Sequence, residues 1–271
     1  MAVIVSPRQR APLAARAPRG GVFPGRAASI HGGAHQPKAL PCDWSGNGRR
    51  REISPQDRPY NAICKLEGSR PATGFLISDR HVLTAAHAVR CITHAIVRFP
   101  GTGAKPIKVP AHKCRIHPRY KPGQDCDNNN WAFDLAVIPL PSRLRIAPLP
   151  LAFISQARFD QSRLEIAGYV DGALLAYREG DGPFCSSNIG QREAALRLPL
   201  VHHRLDTSRS QSGSPLIAFG ADGEPVVVGV HVAGPRSNVF GGLGNRACAF
   251  RPELQGPGFS LPIPPPAGGT S

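Results

Sequence analysis

No stretch of about 18 consecutive apolar residues occurs in the chain, so it offers no candidate for a membrane-spanning helix. Acidic residues are scarce: 18 Asp+Glu stand against 33 Lys+Arg, for a formal net charge of +15. Aromatic residues make up only 6%, which leaves little for a base-stacking platform, and no nucleic-acid recognition motif accompanies the charge. No nucleic-acid partner is therefore expected. There is no CxxC spacing and no His/Cys cluster, so neither a metal nor any other cofactor is expected. The seven cysteines, an odd number, leave at least one unpaired within the chain. No internal repeat is present. What is plentiful is Gly and Pro, 29 of each, which favours short strands and turns over a helical bundle. With 41% hydrophobic residues in 271, there is material for a proper core.

The basic excess is uneven. Nine of the 33 Lys+Arg fall in residues 1–51, against one acid, Asp43. This Ala/Gly/Pro/Arg-rich head shows neither helical nor strand periodicity and reads as a disordered basic leader or pro-segment. It is not a clear signal peptide, because Ala2-Val3-Ile4-Val5 is too short an apolar core and arginines follow it closely. Arg49-Arg50-Arg51, ahead of Glu52, offers a processing site. Residues 256–271, with Pro262-Ile263-Pro264-Pro265-Pro266, read as a flexible tail.

The body between reads as β. Residues 61–67, 95–99, 135–140, 164–170, 216–219 and 225–232 are short apolar or alternating runs bounded by turn clusters, and residues 74–83 look like two strands around a turn. Regularly spaced short strands point to a sandwich or a barrel, and periodicity does not choose between them.

Three motifs carry chemistry. Thr84-Ala85-Ala86-His87 surrounds a histidine with small residues that let a short turn pack closely. Ser210-Gln211-Ser212-Gly213-Ser214-Pro215 suits a tight turn that presents a serine hydroxyl and aims backbone N–H groups at an oxyanion. Asp134 precedes an apolar strand, where it can bond an imidazole N–H, fix its tautomer and stabilise the imidazolium. The chain order is His87, Asp134, Ser212.

In these residues the sequence resembles the chymotrypsin-like serine proteases, and within them the bacterial glutamyl-endopeptidase-like branch. Thr73-Gly74-Phe75 with Thr84 to His87 is similar to the family's histidine region. Ala167-Gly168-Tyr169 resembles its Gly-Tyr turn, Ser212-Gly213-Ser214-Pro215 its serine motif, and Val228-Gly229-Val230-His231 its Gly-Ile-His strand. The resemblance implies an all-β fold of two Greek-key antiparallel barrels, about 58–145 and 155–255 within a domain spanning 52–255, with the active site in the cleft between them. It further implies a serine endopeptidase with protein or peptide substrates, acting as a secreted or periplasmic monomer. His87, Asp134 and Ser212 would form the triad, and the backbone N–H groups of Ser210 and Ser212 the oxyanion hole.

The departures matter. Ser210 stands where the family nearly always has Gly, whose positive φ points an N–H into the oxyanion hole. A serine there is expected to be strained or to turn the N–H away. A catalytically impaired, protein-binding homologue is therefore the alternative function. Gln211 replaces the acid that trypsins use to hold a new N-terminus, so trypsin-style activation is not expected. Ala88 replaces a family cysteine, and Cys114–Cys126 is the first guess for a disulfide. His202-His203 reads as a strand end. By the resemblance, Asp206, Thr207, Arg209 and His231 would line the substrate pocket. Thr207 and His231 suit a glutamate carboxylate, Asp206 opposes one, and Arg209 adds positive charge at the rim. The balance favours Glu over Lys/Arg before the scissile bond.

Overall fold

The structure, a computed structural model of the full chain, describes residues 51–263 except 69, 125–127, 154–162, 179–198, 204, 221 and 235–244. The head up to residue 50, Cys126 and the chain beyond 263 lie outside the described residues.

Among the described residues, the strands form two seven-stranded antiparallel sheets. The first runs in the order β6 (Ile107–Pro110), β5 (His94–Arg98), β2 (Ile63–Glu67), β3 (Ala72–Ser78), β4 (His81–Thr84), β8 (Ala136–Pro139) and β7 (Arg115–Ile116). The second runs β1 (Arg51–Glu52), β10 (Ala173–Arg178), β9 (Leu164–Val170), β12 (Pro215–Phe219), β13 (Pro225–Ala233), β14 (Asn245–Ala249) and β11 (Leu200–His203). Both sheets curl, giving the chymotrypsin-like two-barrel architecture. Among the described residues, two single-turn α-helices interrupt the strands, α1 (Ala86–Val89) and α2 (Asn128–Trp131), besides short 3-10 turns. No described helix is long and apolar enough to cross a membrane.

Alternation explains how β9 is buried along its whole length. Leu164 and Ile166 join the second sheet's interior with Leu216, Val228 and Ala247, while Ala167 and Tyr169 join the larger core shared with the first sheet. A strand covered on both faces reads as a mostly apolar run, which is why residues 164–170, with one acid at Glu165, were visible in the sequence. Gly168 lies inside this strand, paired with Leu175, rather than in a turn. The turn comes later, at Asp171-Gly172, where both residues have positive φ (47° and 93°), the conformation that suits a two-residue hairpin.

The acid in β9 is also buried. Glu165 accepts a 2.6 Å hydrogen bond from the Tyr60 hydroxyl and pairs with Arg178 (2.8 Å) and Arg51 (3.4 Å). Arg51 thus belongs to a strand of the domain, so the expected 51/52 boundary falls inside β1. Burial, and then Glu165, push the Tyr60 phenol up to about 12 from 10.0. A raised folded-state value means this stabilisation is whole below pH 10.0 and is lost as pH rises to about 12. Its size is on the order of 2 kcal/mol. Between pH 9 and 12 the wild type should therefore lose stability more steeply than Tyr60→Phe in urea unfolding; parallel curves would contradict this.

The stretch read as a tail is partly anchored. Phe259 and Leu261 are buried, and Phe259 meets the His117 ring edge-on at 4.8 Å. His117 in turn stacks on Phe133 at 5.0 Å, next to Asp134. The Gln255 side chain adds hydrogen bonds to the Leu261 backbone, so a Pro/Gly-rich segment without periodicity of its own is docked by a few specific contacts.

Candidate active site

His87 and Asp134 are bonded to each other, and the turn that carries Ser212 packs against Thr73 and Thr84–Ala85 of the first sheet. His87 sits in α1, directly after β4, and Asp134 precedes β8, the neighbour of β4. Adjacent strands therefore bring both to one end of the first sheet. Ser212 lies in the turn ahead of β12 in the second sheet.

Asp134 is buried and grips His87 twice. Its Oδ1 accepts the His87 backbone N–H at 2.8 Å, and its Oδ2 pairs with Nδ1 at 2.6 Å. A carboxylate only accepts, so Nδ1 carries a proton and Nε2 is left as the basic nitrogen. The His87 side chain is 23% exposed against 2% for Asp134, so the imidazole opens to solvent while its partner does not. The loop carrying Asp134 is held from three sides. Cys248 Sγ donates to Ala132 O at 2.9 Å, the Arg246 guanidinium lies 4.4 Å over Trp131, and that of Arg119 lies 3.8 Å over Phe133. Burial and the nearby Asp134 charge keep the Cys248 thiol protonated.

The serine turn is built from main-chain bonds that leave two donors over. Gln211 N–H reaches Ser208 O, Gly213 N–H reaches His231 O at 2.7 Å, and Ser214 N–H reaches Gln211 O. Among the described residues, the N–H groups of Ser210 and Ser212 have no acceptor. Ser210 adopts φ +76°, so the position keeps the left-handed backbone that a glycine would take. A left-handed backbone at a residue with a Cβ is the strained conformation expected from the sequence. The Gln211 side chain stabilises the turn from within, its Oε1 accepting Ser208 N–H at 2.7 Å. Gly213 (φ +86°) admits no side chain: an added Cβ would lie 2.1 Å from Thr73 O. That closeness ties the serine turn to β3 and to Thr84–Ala85, two residues before His87.

The proposed pocket residues do not all share one environment. Asp206, Thr207 and His231 are buried, whereas Arg209 is exposed, so its charge lies on the solvent side. Thr207 Oγ1 donates to Asn245 Oδ1 at 2.8 Å, and Asn245 Nδ2 donates to Leu205 O. The His231 Nδ1 lies 3.3 Å from His203 Nε2. Complete burial, with His87 adding to it, lowers the His231 pKa to about 3, so its ring is neutral at working pH. His203, read as a strand end, does end β11, where it pairs with Asn245 of β14; Asn245 was not singled out in the sequence. A polar residue at a strand end gives no signal of what faces it across the ladder. Cys64, Cys91, Cys114 and Cys248 are free thiols, which removes Cys114 from the expected disulfide.

Comparison with known proteins adds the following. A family model described as a trypsin-like peptidase domain matches residues 72–230, which contain all three candidate catalytic residues. Granzyme M of Homo sapiens is 31% identical over 129 residues, covering 44% of this chain and 47% of its own length. Two solved structures share the fold. A Glu endopeptidase in complex with MPD has a TM-score of 0.57 at 18% identity, covering 78% of this chain and 94% of that one. Neuropsin, a serine protease of mouse brain, has a TM-score of 0.55 at 20% identity, covering 74% and 93%. The chain spans less than half the length of the curated relatives it matches.

Proposed function

Because the chain belongs to the trypsin-like peptidase family, we propose that it is a serine endopeptidase working through His87, Asp134 and Ser212. The observation that carries this reading is the pair of hydrogen bonds that His87 donates to Asp134, which fixes the tautomer whose Nε2 can accept a proton. His87 takes the proton from Ser212 Oγ as it attacks a peptide carbonyl. A tetrahedral intermediate forms, and His87 then gives the proton to the leaving amine. Water repeats the cycle on the acyl-enzyme. The uncommitted N–H groups of Ser210 and Ser212 suit the negative oxygen of each intermediate. The domain proposed for this chemistry spans 52–255, together with the strand residue Arg51.

The preferred residue before the scissile bond is glutamate. Support comes from the buried His231–His203 pair beside Asn245, while Thr207, whose hydroxyl proton goes to Asn245 Oδ1, holds Asn245 in place. A neutral His231 would act there as a hydrogen-bond partner rather than as a charge. The likeness to a Glu endopeptidase structure points the same way. Asp206 is the opposing feature. Peptides differing only in the residue before the scissile bond decide the matter. The Glu peptide should show a kcat/KM at least about 10-fold above the Arg peptide. Cleavage after Arg and not Glu would overturn the preference. Substrates are proteins or peptides, met outside the cytoplasm.

A further inference from the structure

The second residue of β3, Thr73, is fully buried and touches the serine turn in three ways. Its backbone N–H donates to Ser212 O at 2.9 Å. Its hydroxyl donates to Ser210 O at 3.0 Å. Its own carbonyl, which Gly213 packs against, accepts a bond from Thr84 Oγ1 at 2.7 Å. The hydroxyl has no freedom to do otherwise. A threonine hydroxyl carries one proton, and Tyr169 N–H at 2.9 Å can only donate to it, so the proton goes to Ser210 O. Gly168 leaves room for this arrangement, since an added Cβ there would lie 3.1 Å from Thr73 Oγ1.

Ser210 needs such support. At φ +76° it holds a backbone conformation that a residue with a Cβ rarely adopts unaided. Rotations about φ and ψ together set the direction of the Ser210 N–H relative to its carbonyl. A carbonyl pinned from the first sheet therefore fixes where that N–H aims. We propose that the Thr73 hydroxyl is a positioning residue for the oxyanion donor, holding Ser210 in the left-handed conformation that a glycine would adopt without help. The proposal rests on the serine-endopeptidase reading above.

Labelling of the full chain by a fluorophosphonate probe tests it, because the probe reacts at the nucleophilic serine and does not depend on the peptide preference. Thr73→Val should lower the maximal labelling rate on the order of 10-fold, short of the 10²–10³ that outright loss of an oxyanion donor costs. The half-saturating probe concentration should change little. Thr73→Ser, which keeps the hydroxyl, should label near the wild-type rate. In a Ser210→Gly background, Thr73→Val should slow labelling less than about 3-fold, because glycine needs no support. Equal slowing in both backgrounds would assign Thr73 a merely structural role and overturn the proposal, as would an unaffected Thr73→Val. Should Thr73→Val fail to fold, Thr73→Ala takes its place in the same cycle. A folded wild type that does not label would sink the endopeptidase reading and this proposal with it. A labelled wild type with unaffected Thr73 variants would sink the proposal alone.

Discussion

Asp134→Asn should lower kcat by about 10⁴ while leaving KM nearly unchanged. The size follows from the two bonds to His87. The carboxylate accepts from both the backbone N–H and Nδ1. An asparagine offers one acceptor and one donor. The backbone N–H cannot change its role, so it claims the amide oxygen and leaves the NH₂ group facing Nδ1. The imidazole then carries its proton on Nε2, where the base is needed, and cannot accept the serine proton. Nothing in the pocket of Thr207, Asn245 and His231 is altered, so substrate binding persists. Steady-state kinetics on the preferred peptide check this. A loss below about 10-fold would mean that Asp134 does not orient a catalytic histidine.

Ser212→Ala should remove turnover altogether, a loss on the order of 10⁶, because no other group takes the place of the nucleophilic oxygen. Stability should be unaffected to within about 0.5 kcal/mol. The turn is held through main-chain atoms, with Thr73 N–H on the carbonyl of residue 212 and Gly213 N–H on His231 O. Alanine keeps all of these bonds. The contrast between an intact melting curve and absent turnover separates a catalytic role from a structural one.

Much of this was legible in the sequence, for reasons that can be named. Strands β9 and β13 announce themselves through mostly apolar runs, interrupted only by Glu165 and His231, and the order His87, Asp134, Ser212 with its flanking motifs carried the two-barrel fold. Strands β1 and β7 have two residues each and no period to detect. Phe259 and Leu261 were hidden by the Pro/Gly composition around them, since composition averages over the few side chains that dock. Ser210 marked a departure, and its physical consequence was open until the backbone showed φ +76°. The support from Thr73 depends on one sheet reaching across to the other, a contact between residues 137 positions apart. No local pattern encodes such a contact. The same holds for His203 beside His231, which meet only through the ladder of β11, β14 and β13.

The central claim is that Ser212 is a nucleophile activated by its surroundings. The most direct measurement is covalent labelling of the folded full chain by a fluorophosphonate, read by intact mass and peptide mapping. The account predicts a single adduct on Ser212 in the wild type and none in Ser212→Ala. A folded wild type that stays unlabelled, or a Ser212→Ala protein that labels equally, would contradict it.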